Sequence, residues 1–154
     1  MHGPFAGTPD EAYVRGKARP MSRLLTSEPL ARDLGLLLLR LFAGGTMLIQ
    51  HGWPKLQGFG DRMETFADPI GLGTTLSLAL IVFAETLCAL LVALGLWTRL
   101  AAVPLIIGMG VAAFIVHGDD PFGKQEMSLA YLAMYVAVLL AGAGRFAVDR
   151  ISFR

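Results

Sequence analysis

Four ionisable side chains stand within or at the ends of long apolar runs of this 154-residue chain: Arg40, His51, Glu85 and His117. The first run, 34–51, encloses Arg40 and leads into the string HGWPKL at 51–56. A charge inside such a run is costly in a bilayer unless it has a partner or faces a polar cavity. These residue types can bind a polar group or transfer protons, so we expect them to face one another.

Helical spacing and depth bring two tyrosines into the same group. Arg40 and His51 lie on one face of the first run, at i and i+11. Tyr131 and Tyr135 likewise share a face of the last run. Counting ~1.5 Å per residue puts Arg40, Glu85 and Tyr135 within reach of one another. We therefore expect an Arg40–Glu85 pair, with the histidines above it.

Two interpretations of this group stay open. It is either a structural ion pair that fixes the register of the helices, or the floor of an outward-open polar cavity. Such a cavity would hold a small redox-active molecule or relay protons, with His51 and His117 at its rim. The two interpretations are compatible, because an ion pair can also wall a cavity.

The remaining polar residues indicate weaker alternatives. Lys55 fits a side chain that reaches the lipid headgroups better than one that binds a substrate. A site for an anionic substrate, made by Lys55 with His51 and His117, ranks second. Two histidines without a fixed spacing disfavour haem or a metal, and we assign no metal ligand. The lone Cys88 fits a buried structural role.

Four apolar runs must position these residues, namely 34–51, 75–96, 100–117 and 127–143. Each has roughly the 20-residue length that a helix needs to cross a bilayer, where backbone groups must bond within the segment. The sequence therefore predicts an all-α, integral membrane four-helix bundle over 34–149. We expect Pro54 to end or kink the first helix, and 61–67 to form a short interfacial helix.

Composition and charge agree with a membrane protein. Hydrophobic residues make up 55% of the chain and charged ones only 16%, while the net charge of +1 gives no basis for nucleic-acid binding. Lys and Arg concentrate in the polar leader 1–33, the connection 97–99 and the tail after 143. The positive-inside rule then places both termini in the cytoplasm. We expect the leader to be partly disordered and 150–154 to be a cytoplasmic tail.

Three motifs together resemble the DoxX family. They are Arg40 ahead of HGWPKL at 51–56, Glu85 followed by Gly95, and GAGRFAVD at 142–149. Members are small bacterial and archaeal membrane proteins with four spans. They include a subunit of an archaeal thiosulfate:quinone oxidoreductase and a mycobacterial protein linked to thiol oxidative-stress defence. The resemblance covers about 34–149 and implies a multi-pass protein of the bacterial or archaeal cytoplasmic (inner) membrane.

The resemblance further implies a quinone-linked redox subunit, with a quinone as cofactor and with lipid and other membrane or redox subunits as partners. The residues assigned to catalysis are Glu85, which would pass protons, Arg40 and Tyr135. The residues assigned to cofactor binding are His51, His117, Tyr131 and Lys55. Whether the chain is itself an enzyme stays open, and the single cysteine disfavours self-contained sulfur chemistry.

Two other functions stay open at this point. The first alternative is a non-catalytic accessory or assembly subunit, which would dock in a larger complex through Ala89/Ala93 or Ala137/Ala141. A small transporter or channel ranks third, because the inner half of the spans has little polar lining apart from Arg40 and Thr46. A homo-oligomer also stays open.

Overall fold

The computed structural model describes residues 31–149, and within them all regular structure is helical. The helices are α1 (Arg32–Gln57), α2 (Phe59–Arg62), α3 (Thr74–Leu94), α4 (Thr98–Val116) and α5 (Phe122–Ala141). The predicted all-α class is thereby confirmed. The expectations for most of the leader and for the tail 150–154 lie outside the described residues.

Three of the helices, α1, α3 and α4, are long and apolar enough to cross a membrane. Helix α5 also has 20 residues, but Lys124, Gln125 and Glu126 lie near its start, and it is not among the helices of membrane-spanning length and hydropathy. The expected fourth span therefore remains a proposal. The predicted helix at 61–67 is also corrected, since α2 ends at Arg62 and a turn follows it.

The bundle has two distinct ends. The Asp33 carboxylate accepts a 2.9 Å hydrogen bond from the backbone N–H of Arg145, so the start of α1 and the segment after α5 lie together. The short α3–α4 connection belongs to this end as well, because Val148 N–H donates to the Leu94 carbonyl. We call this the arginine end, and the opposite one the cavity end.

Helices α1 and α3 approach each other closely at Gly44. A Cβ at this position would lie 2.6 Å from the carbonyl oxygen of Ala89 and 2.9 Å from the backbone nitrogen of Ala93. Ala89 is fully buried by this contact. The Ala89/Ala93 face therefore packs inside the bundle, and the expectation that it docks a partner is corrected. Ala137 remains exposed on α5.

Each of the three membrane-length helices contains one widened, π-helical turn. These turns are Met47–Gly52 in α1, Ala84–Cys88 in α3 and Ala112–Val116 in α4. In α1 the turn lets the Trp53 N–H bond to the Leu48 carbonyl, five residues back. Pro54, which has no N–H to place, follows within the same helix. Pro54 therefore does not end α1, which continues to Gln57.

Candidate functional site

A cavity of about 410 Å³ opens at the cavity end. Its polar lining comes from α1, α3, α5 and the α4–α5 connection, and consists of His51, Lys55, Glu85, His117, Lys124, Ser128 and Tyr131. Three methionines, Met47, Met109 and Met127, line it together with Ala112 and Gly123. Four residues assigned to the cofactor site by sequence, and Glu85 from the catalytic set, thus meet in one cavity.

The widened turns bring these residues to one level. Met47 and His51 belong to the turn of α1, Glu85 to that of α3, and Ala112 to that of α4. Turns of this kind are frequent at functional sites, because the local expansion re-aims side chains without ending the helix. The same feature therefore shapes three of the four helices that line the cavity.

The central charges of the cavity form an ion pair. Lys55 Nζ lies 2.5 Å from Glu85 Oε2. The Glu85 side chain is only 4% exposed and that of Lys55 20%, so both charges are largely removed from solvent. A carboxylate so deeply buried requires a cation or a proton. The lysine that was expected to reach the lipid headgroups provides that cation.

The predicted Arg40–Glu85 pair is wrong. Gly52 packs against the backbone of Glu85, where a Cβ at position 52 would overlap the Glu85 carbonyl oxygen. Glu85 therefore lies level with Gly52, which is twelve residues or roughly 18 Å along α1 from Arg40. The depth count failed because it ended the first helix near His51. Since α1 in fact runs on past Lys55, that lysine lies over the carboxylate.

Arg40 lies at the arginine end instead. Its side chain is fully buried, and Nη2 donates a 2.7 Å hydrogen bond to the Phe146 carbonyl. The Nε and Nη1 atoms of Arg40 have no hydrogen-bond partner within residues 31–149. The guanidinium rests on Gly95, where a Cβ would overlap Nη1. Arg40 thus holds the segment after α5 against the α3–α4 turn, and it does not line the cavity.

Two tyrosines form an aromatic wall beneath His51. The His51 ring meets Tyr131 edge-on at 5.8 Å, and Tyr131 stacks on Tyr135 at 6.1 Å. Both hydroxyls donate to α1, from Tyr131 to Thr46 Oγ1 and from Tyr135 to the Ala43 carbonyl, each at 2.9 Å. Tyr135 is fully buried and does not line the cavity. It can act on a ligand only through Tyr131.

The second histidine is held by a carboxylate. His117 Nδ1 lies 2.9 Å from Asp120 Oδ2, and Lys124 Nζ lies 3.2 Å from Asp120 Oδ1. These contacts, that of His117 first, hold the pKa of the Asp120 carboxyl below its usual range. Within residues 31–149, no group of three or more His, Cys, Asp or Glu side chains could hold a metal ion.

Comparison with known proteins decides the family. A family model described as DoxX matches residues 35–118, which is more than half of the chain. The chain belongs to the DoxX family. No curated protein and no solved structure gave a significant match. Together with three helices of membrane-spanning length, the match identifies a multi-pass DoxX membrane protein and confirms the predicted family.

The DoxX match covers α1, α3 and α4, and so includes every cavity residue except those of α5. Sequence reasoning missed the role of Asp120 as the partner of His117. The three-residue spacing from His117 to Asp120, just beyond the end of α4, was the available signal. It also missed Gly52, whose closeness to α3 no local pattern reveals.

Proposed function

We propose that this DoxX protein is the membrane subunit of a quinone-linked redox system, and that the cavity takes the quinone head group. The observation that carries the proposal is the buried Lys55–Glu85 ion pair, which walls a cavity flanked by His51 and His117. Buried ionisable groups at membrane depth are costly and are characteristic of sites that bind polar ligands or move protons.

The residues present fit such a head group in size and chemistry. The volume, about 410 Å³, lies within the range of small-molecule sites. Lys55 has three N–H donors and gives one to Glu85, so two remain for a carbonyl oxygen. Tyr131 and the three methionines supply an apolar surface for a ring. When bound, a quinone would supply two-electron, two-proton chemistry.

Each of the chain's own residues would have a separate role toward the bound head group. Lys55 donates to a carbonyl oxygen, and Glu85, relieved of part of its pairing, becomes able to accept a proton. His51 and His117 are the other lining groups whose ring nitrogens can form hydrogen bonds with a head group. The hydroxyls of Tyr131 and Tyr135 are already bonded to α1, so the Tyr131 ring forms part of the wall and Tyr135 packs behind it. Arg40 acts at a distance, by holding the arginine end together.

We further propose that α5 is the fourth span, with both chain ends on the cytoplasmic side of a bacterial or archaeal inner membrane. The Asp33–Arg145 contact supports this placement, because it puts the start of α1 and the segment after α5 at one end. Arg99 lies at that end too, in the first turn of α4. A cluster of this kind marks the cytoplasmic side.

Ligand binding tests the proposed function. Purified protein in lipid nanodiscs is titrated with a short-chain alkyl benzoquinone. Removal of both charges, in the Lys55→Met/Glu85→Leu double variant, avoids leaving a buried charge without a partner. We expect it to weaken binding about tenfold or more, because a hydrogen bond to a charged group is lost.

The matched control removes the same two charges outside the cavity. The Arg62→Met/Glu64→Leu variant changes exposed residues and should bind as the wild type does. Absence of saturable binding to the wild-type protein would contradict the proposal. So would equal affinity of the wild type and the cavity variant.

A further inference from the structure

When the His117 ring is neutral, its contact with Asp120 determines which of the two ring nitrogens carries the hydrogen. Nδ1 lies 2.9 Å from Asp120 Oδ2, and an ionised carboxylate can only accept hydrogen bonds. The hydrogen of a neutral imidazole must therefore sit on Nδ1. Nε2 then carries a lone pair, and it has no partner within the described part of the chain. His117 is one of the residues that line the cavity.

Asp120 is itself fixed in place. Lys124 Nζ donates to its Oδ1 at 3.2 Å, which leaves Oδ2 for the histidine. The Gln125 amide donates to three backbone carbonyls of the α4–α5 connection, those of His117 at 2.7 Å, Gly118 at 3.1 Å and Asp120 at 3.1 Å. The connection that carries the His117–Asp120 pair is thus tied to the start of α5.

The two sides of the cavity differ in what they offer a ligand. The Lys55–Glu85 pair presents both donor and acceptor atoms, so this side suits a carbonyl or a hydroxyl equally. His117 Nε2 presents an acceptor only. An oxygen that approaches it must bring its own hydrogen, and a carbonyl oxygen there would face another lone pair.

We propose that the cavity selects a head group that presents a hydroxyl to His117, and hence prefers a hydroquinone to the corresponding quinone. Asp120 is the positioning residue for this preference, since it determines which His117 nitrogen carries the hydrogen. This inference rests on the proposed function, because it takes the occupant of the cavity to be a quinone-type ring.

The test compares the two oxidation states of one ligand. An alkyl benzoquinone and its hydroquinone are titrated separately into the full-length protein in nanodiscs, without oxygen, at about pH 8, above the pKa of free imidazole. We expect the wild type to bind the hydroquinone about tenfold more tightly, which corresponds to one hydrogen bond made or lost.

The Asp120→Asn variant makes the sharper comparison. Lys124 can donate only to the amide oxygen, so the amide N–H₂ turns to His117 Nδ1 and the ring hydrogen moves to Nε2. His117 then becomes a donor, and since a carbonyl oxygen and a hydroxyl oxygen can both accept its hydrogen bond, the hydroquinone preference should be lost. The Asp119→Asn control removes the same charge from the neighbouring exposed residue and should keep the wild-type preference.

The possible results separate the inference from the proposed function. Equal affinity of the wild type for both forms overturns the inference, while binding as such still supports the function. Binding of neither form overturns both. An unchanged preference in Asp120→Asn overturns the role of Asp120. If that variant does not fold, His117→Phe keeps a ring but removes the acceptor, and retention of the hydroquinone preference there overturns the inference.

Discussion

At the scale of single residues, charge placement separates the two ends of this DoxX protein. Lys55 and Glu85 neutralise each other beside the cavity, whereas Arg40 is buried against a backbone carbonyl and Gly95. Both cations lie on α1, but only Lys55 lines the cavity. The residue types therefore predicted buried polar chemistry, while the pairing depended on which part of α3 faces each cation.

Gly95 provides the test of the arginine end. Its φ is +76°, and a Cβ there would overlap Arg40 Nη1. Gly95→Ala should therefore lower the stability by more than backbone strain alone, which costs at least about 1 kcal/mol. Gly71→Ala is the matched control, because its φ is +74° and nothing lies within 4 Å. Thermal unfolding in detergent measures both, and equal losses would contradict the proposed Arg40 contact.

At the scale of elements, helix packing here depends on glycine spacing along α1. Gly44 and Gly52 are two turns apart and both face the backbone of α3, at Ala89 and Glu85. Close contact of this kind substitutes for the hydrophobic driving force that is absent between helices in lipid. The packing that joins α1 to α3 thereby also sets the level of the Lys55–Glu85 pair.

Gly44 and its neighbour Gly45 give a direct comparison. Gly44→Ala would push a Cβ into the α3 backbone, so we expect a loss of about 2 kcal/mol or more, as for overpacked cores. Gly45 has nothing within 4 Å, and Gly45→Ala should be neutral or stabilise the helix by about 0.5–1 kcal/mol. Denaturant or thermal unfolding in detergent checks the difference. A Gly44→Ala protein as stable as Gly45→Ala would show that the helices are not in contact there.

At the scale of the whole molecule, the main question is whether α5 crosses the membrane. Asp119→Cys and Arg145→Cys lie at opposite ends of α5 and are both exposed in the structure. With a membrane-impermeant maleimide on intact cells, Asp119→Cys should react, and Arg145→Cys should react only after permeabilisation. The native Cys88 is buried and should give little background. Labelling of both from the same side would show that α5 does not span.

The sequence was sufficient to predict the long helices. It was not sufficient to predict which residues of neighbouring helices lie opposite each other. Apolar runs predicted the long helices, because each run must bond its own backbone in lipid, and the bounds differ by a few residues. Lys55 meets Glu85 through packing at Gly52, which depends on two helices at once and leaves no local pattern. The Arg40 prediction failed for the same reason, whereas His51 and His117 do line one cavity.

The widened turns have a consequence for how this protein tolerates change in length. Each holds about one residue more than a regular turn, so every side chain beyond it is rotated by roughly 100° relative to an uninterrupted helix. Loss of a single residue from Met47–Gly52 would restore the regular helix, and because one residue of a regular helix also turns by about 100°, Lys55 would keep facing the cavity. A one-residue deletion is therefore absorbed in these three stretches, whereas elsewhere in the same helices it would rotate every later side chain by about 100°.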